Sequence, residues 1–214
     1  MKRFILPLII FLGVVHGAWA SKILIPMDES QKNHLKSYGL AYWVLRTYDT
    51  EIDWLLNYRG GSFMMDWNQR IINEMVVRGI SYEVISDAQG SGILSEIAQP
   101  DANMDNVKLH KAPKVAVYSP KTKQPWDDAV TLVMSYAEIP YDIVYDDDLM
   151  EGKLSEYDWL HLHHEDFTGQ YGKFFHFRDY PWYRAQKREA EDIAAKFGFS
   201  KVSKLKLAVA KKVQ

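Results

Sequence analysis

Short, continuously apolar runs alternate along this chain with longer stretches in which apolar residues recur at helical spacing. The first kind reads as strands covered on both faces, the second as amphipathic helices. Lys22-Ile-Leu-Ile-Pro-Met27 predicts a strand. Ser30 is placed to cap a helix over Gln31 to Tyr48, where Leu35, Tyr38, Tyr42 and Leu45 share a face. Ile52 to Asn57 predicts a second strand, and Tyr58 to Ser62 a loop. Asp66 is placed to cap a helix that runs through Arg78 and closes at Gly79. Ser81 to Ile85 alternates like a strand. Asp87 to Pro113 is the least regular stretch and reads as a linker, with one helical turn near Ile93 to Ile97.

The pattern then restarts. Lys114 to Tyr118 and Tyr141 to Tyr145 predict strands around a helix that starts near Pro125 and ends near Ala137. Tyr157 to His163 predicts a further strand. Pro181 opens a helix that Gly198 ends, and a last helix covers Lys201 to Val213. The spacings from Ile23 to Ile52 and from Val115 to Tyr141 each suit a βαβ unit with a right-handed crossover. The expected fold is therefore α/β, a doubly wound and mainly parallel sheet of the flavodoxin or Rossmann kind. It would be built as an N-terminal half over 21–90, a linker over 91–113 and a second half over 114–214.

The first twenty residues read differently. Lys2 and Arg3 precede an apolar run from Phe4 to Val15, and Ala18-Trp19-Ala20 supplies small residues before a cleavage point. This is the layout of a secretory signal peptide, shorter than the ~20 residues a membrane span needs. Residues 1–20 are thus expected to be removed, with export to a periplasm or the exterior and no membrane span afterwards. A retained anchor is the other reading. The whole chain holds 26 basic and 28 acidic residues, a net charge of −2. No basic excess or stripe points to nucleic acid. Cysteine is absent, which excludes disulfides, thiolate metal sites and a cysteine nucleophile among these residues.

In an open parallel sheet, ligands sit beyond the carboxyl ends of the strands. That rule selects Asp28 and Glu29, Arg59 to Ser62, Ser119, Asp146 to Asp148, and His163 to Asp166. The densest group is His161-Leu-His163-His164-Glu165-Asp166. Imidazoles and carboxylates so close together suit a polar ligand, or a divalent metal held by His161, His163, Glu165 and Asp166. They equally suit a polar strand end. Arg59-Gly60-Gly61-Ser62 offers backbone N–H groups and a guanidinium to an anion, or is a tight turn. Asp146-Asp147-Asp148 lacks the spacing of a calcium loop and reads as a helix cap on a solvated face. Ser119 has no second feature to make it a nucleophile. No cofactor is expected.

Long stretches resemble a group of exported bacterial proteins that carry the name asparagine synthetase B. They are IPMDESQKNHLKSYGLAYWVL (25–45), DWLLNYRGGSF (53–63), VRGISYEVISDAQ (77–89), KVAVYSPKTKQPWDDAV (114–130) and YDWLHLHHEDFTGQYGKFF (157–175). The N-terminal cysteine and SGGxDS loop of asparagine synthetases are both missing here. The second half is similar to the class I glutamine amidotransferase fold, a flavodoxin-like sheet. That resemblance implies a cysteine at a strand-to-helix elbow in a Gly-rich strand, after a helix like 201–213. The sequence stops first, which suggests truncation at the C-terminus or a chain that lost its elbow. The resulting expectation is an exported amidotransferase-like protein without a nucleophile in this chain. It would bind a sugar, amide or amino acid through Arg59, Gly60, Gly61, His163, His164 and Glu165, with Asp28 and Glu29 beside them. The alternatives are a metal-dependent hydrolase using the His161–Asp166 cluster, and an interaction module presenting Trp126, Trp159, Trp182, Tyr180 and Tyr183.

Overall fold

A computed structural model describes residues 21–48, 50–121, 129–162 and 175–213. They form a mixed α/β structure with two separate sheets. The first is antiparallel, in the order β4-β1-β3-β2-β5, from β1 (Ser21–Ile25), β2 (Ile52–Leu56), β3 (Ser62–Asp66), β4 (Glu83–Ser86) and β5 (Asp105–Leu109). The second is parallel, in the order β7-β6-β8, from β6 (Val115–Tyr118), β7 (Tyr141–Val144) and β8 (Trp159–Leu162). A mainly parallel sheet therefore describes the second half and not the first.

The reason lies in β3. The residues Ser62-Phe-Met-Met-Asp66 form a central strand with four of the five side chains buried. The turn from Asn57 to Gly61 is too short for a crossover, so β3 must return antiparallel to β2. It inserts between β1 and β2, which run in the same direction without touching. The order β4-β1-β3-β2 is the split βαβ arrangement of ferredoxin-like sheets, with β5 added outside β2.

Helix α1 (His34–Thr47) and helix α2 (Gln69–Arg78) cover one face, packing Leu40, Val44, Ile71 and Met75 on Ile23, Ile25, Ile52 and Phe63. Helix α3 (Asp87–Ile97) covers the other, with Ile97 against Leu24, Leu55, Met64 and Ile85. The stretch from Asp87 is thus a helix and a strand rather than a linker. A Ser86–Gln89 capping box starts α3, and its Gly90 packs a bare Cα beside Met64. The caps of α1 and α2 also differ from expectation. Asn33 and Asn68 accept the first-turn N–H groups, while Ser30 bonds to Asp28 and Asp66 ends β3.

In the second half, α4 (Ala129–Ala137) packs Met134 on Val115 and Val117. Helices α5 (Asp146–Met150), α6 (Pro181–Lys196) and α7 (Val202–Val213) pack Leu149, Ile193, Ala194, Leu205 and Val209 on Ala116, Tyr118 and Val144. Successive β6 residues thus serve opposite cores, as a strand covered on both faces requires. Pro181 opens α6 and Gly198 follows its end with φ 76°.

The halves meet through α1 and α4. Tyr42 donates to the Pro113 carbonyl (3.0 Å), just before β6. Glu138, just after α4, pairs with Lys36 and with Arg78 at 3.0 Å. These contacts place α1 at the amino ends of β6 and β7.

Candidate functional site

Because β1 and β2 run in the same direction, the residues that follow them reach one edge of the antiparallel sheet. Asp28 and Arg59 meet there. Gly60 adopts φ 84°, and a Cβ on it would lie 2.3 Å from the Met27 carbonyl oxygen, so only glycine lets the loop lie on the exit of β1. Met27 N–H donates to the Arg59 carbonyl (3.0 Å), and Arg59 itself takes the left-handed conformation at φ 47°. Arg59 Nε donates to Asp28 Oδ2 (2.7 Å), Nη1 to Glu83 Oε1 (2.7 Å) and Nη2 to Ser30 Oγ (3.4 Å). The Arg59 guanidinium and the Ser30 hydroxyl and N–H hold the Asp28 carboxyl down to about 2.

Two carboxylates and a hydroxyl therefore already engage the guanidinium expected to receive a ligand. Gly61 is similarly engaged, its N–H on Tyr58 O and its carbonyl on Trp54 Nε1. Glu29 stands exposed beside the clamp. Glu83 completes it and was not a sequence candidate. It opens β4, which runs antiparallel to β1, so its amino end shares the edge with the carboxyl end of β1.

The parallel half holds a different cluster, at the carboxyl ends of β6 and β7. Tyr118 ends β6 and Asp146 follows β7 by two residues. Tyr118 OH donates to Asp146 Oδ1 (2.6 Å), and Lys206 Nζ lies 2.7 Å from Asp146 Oδ2. Lys206 also donates to Tyr118 OH (2.9 Å) and Tyr145 OH (3.3 Å), with its ammonium 4.6 Å from the Tyr145 ring centroid. Asp146 is 0% exposed and Lys206 5%. Two charges so deeply buried persist only as a pair with further hydrogen bonds, and such a pair stabilises little over apolar residues of similar size.

Asp146 and Asp148 are thus buried, against the expectation of a solvated face. Asp148 accepts the Tyr145 N–H (3.1 Å) and pairs with Lys121 (2.8 Å) and Lys153 (2.7 Å). Burial works to raise its pKa, but the two ammonium groups and the N–H outweigh it and hold the carboxyl below its ordinary range. Sequence reasoning missed Lys206 altogether. The available signal was its place on the apolar stripe of α7, in helical step with Val202, Val209 and Val213.

Of the histidine cluster, His161 lies on β8 in register with Val117, and therefore on the α4 side of the sheet. His163, His164, Glu165 and Asp166 lie outside the described residues, as does Trp126. Among the described residues no group of three His, Cys, Asp or Glu side chains could hold a metal. Tyr180, Trp182 and Trp159 are exposed, while Tyr183 is buried. No helix among the described residues is long and apolar enough to cross a membrane. The Arg59 clamp is not brought to the carboxyl ends of β6 and β7, because α1 joins the halves at the amino ends. No family model, no curated protein and no solved structure matches this chain.

Proposed function

We propose that this chain is an exported, amidotransferase-like α/β protein that binds a small polar ligand (a sugar, amide or amino acid) at the carboxyl ends of its parallel strands. The observation that carries this reading is the sheet order β7-β6-β8. From β6 the chain crosses to β7 through α4 on one face, then passes to β8 through α5 on the other. The direction of winding thus reverses between β6 and β8. In flavodoxin-like sheets that reversal opens the crevice in which ligands lie. Ser119 and His163 are the first residues after the two strands that flank it. The buried Tyr118, Tyr145, Asp146 and Lys206 lie at the ends of β6 and β7 and give that region fixed polar groups. A burial that stabilises so little is explained more readily by a role at a site than by packing. With no cysteine in the sequence, thiol-mediated amide hydrolysis lies outside these residues, and the activity proposed is binding.

Calorimetric titration of the purified chain with amides, amino acids and sugars tests the proposal. A ligand that binds the wild type and is lost by the His163→Ala/Glu165→Ala double variant supports it. Equal binding to both proteins removes the site.

A further inference from the structure

A groove lies at the amino ends of the parallel strands, where the two halves meet. This open groove holds about 660 Å³ and is lined by Tyr42 and Arg46 from α1, Lys111 and Lys114 from the approach to β6, Asp142 of β7 and Asp158 just before β8. Its volume falls within the range typical of small-molecule pockets, which favour seams between domains.

The charges in this groove are almost, but not fully, paired. Lys111 reaches Asp158 at 2.9 Å, and Lys114 reaches Glu156 at 3.5 Å. Asp158 also accepts the Lys114 N–H at 2.8 Å. Two groups are left over. Arg46, exposed on α1 beside Tyr42, has no carboxylate partner among the described residues. Asp142, also exposed, accepts the Tyr157 hydroxyl at 3.1 Å and pairs with no ammonium or guanidinium group among the described residues. The two do not pair with each other. One stands on the first half and one on the second, with Leu45, Val115 and Pro140 lining the space with them.

A guanidinium without an anion and a carboxylate without a cation among the described residues, both lining one groove, complement a ligand that carries both charges. We infer that this seam binds a small zwitterion of the α-amino-acid type, up to a dipeptide. The carboxylate lies on Arg46, whose planar fork suits bidentate binding, and the ammonium on Asp142. This site is separate from the one proposed at the carboxyl ends, and each half supplies one of its two charges. Its occupation therefore ties the halves together.

The test is calorimetry on the purified chain with the standard L-amino acids and glycylglycine. At least one is expected to bind with one-to-one stoichiometry. Its methyl ester, which lacks the carboxylate, and its N-acetyl derivative, which lacks the ammonium, should each bind about tenfold more weakly or worse. Arg46→Gln should weaken the parent ligand by a similar factor and the ester little further, because both changes remove the same contact. Asp142→Asn, which keeps an acceptor for Tyr157, should do the same for the ammonium end. The His163→Ala/Glu165→Ala variant should bind the ligand as the wild type does. The absence of any binder up to about 10 mM, an affinity too weak to reflect a built site, overturns the inference. So does a ligand indifferent to Arg46→Gln and Asp142→Asn. A ligand lost in His163→Ala/Glu165→Ala but kept in Arg46→Gln belongs to the other site and also overturns it.

Discussion

Gly39 of α1 lies so close to Ala137 of α4 that a Cβ on the glycine would fall 1.7 Å from the Ala137 carbonyl oxygen. The contact involves backbone on both sides, so no rotamer change relieves it. Replacing glycine by alanine inside a helix ordinarily gains about 1 kcal/mol from propensity. Gly39→Ala should do the reverse, losing roughly 1–3 kcal/mol through overpacking of the seam. The midpoint of urea unfolding reads the sign directly. A variant as stable as the wild type would show that the helices can part at no cost.

Lys206 and Asp146 are expected to behave as one unit. Lys206→Met leaves a buried carboxylate without its cation and should cost about 3–5 kcal/mol. Lys206→Met/Asp146→Asn removes both charges and leaves an acceptor for Tyr118, so it should recover a substantial part of the loss. Thermal unfolding of the two variants measures the coupling. Equal losses in single and double variants would mean that the pair is not what holds α7 to the sheet.

The Asp28 carboxyl, held at about 2 against an ordinary 3.8, ties stability to acid. A carboxyl whose folded pKa is depressed stabilises the fold fully above its unfolded value, and that contribution fades as pH falls through the folded value. The contribution of the Arg59 clamp should therefore be intact above about pH 4 and lost toward pH 2. Asp28→Asn should show a shallower fall of stability across that window than the wild type. Superimposable acid limbs of the two unfolding curves would exclude the clamp as a contributor.

The two glycines beside Arg59 should not respond alike. Both have positive φ, at 84° for Gly60 and 97° for Gly61, so alanine is strained at either by roughly 1 kcal/mol. At Gly60 the added methyl also strikes the Met27 carbonyl, whereas at Gly61 it meets Trp54 Nε1 at an ordinary 3.6 Å. Gly60→Ala should lose more than about 2 kcal/mol and Gly61→Ala about 1 kcal/mol. Denaturant midpoints give the ranking, and the opposite order would contradict the loop geometry.

How far the residues announced this structure differs between its halves. In the second, β6 was legible as a short apolar run, because a strand covered on both faces shows no alternation to misread, and β7 followed its helix at the spacing of a crossover. In the first, Phe63 to Met65 fall between the predicted loop and the predicted cap at Asp66, since five residues after a glycine turn carry little periodic signal. Without β3 between them, β1 and β2 would read as a parallel pair, because strand direction depends on which strands are neighbours. The edge strand β5, Asp105-Asn-Val-Lys-Leu109, has too little apolar content to stand out from a loop. Asp28 and Arg59 were both singled out by their positions after strands, and they do meet. That they neutralise each other depends on side-chain directions that spacing does not contain. Lys206 was hidden for a plainer reason, since a lysine in a helix is read as exposed unless its partner is known.

The two sheets share no strand. The antiparallel sheet draws on residues 21–109 alone and the parallel sheet on residues 115–162. Every strand that the first sheet needs has therefore been synthesised before β6 is made. It can close over α1 and α2 as the chain emerges, in the order in which domains commonly fold during synthesis. During that interval the flank of α1 around Gly39 waits uncovered for α4. The narrow fit that later joins the halves is thus also the last surface of the first half to be protected, and the one a chaperone would meet.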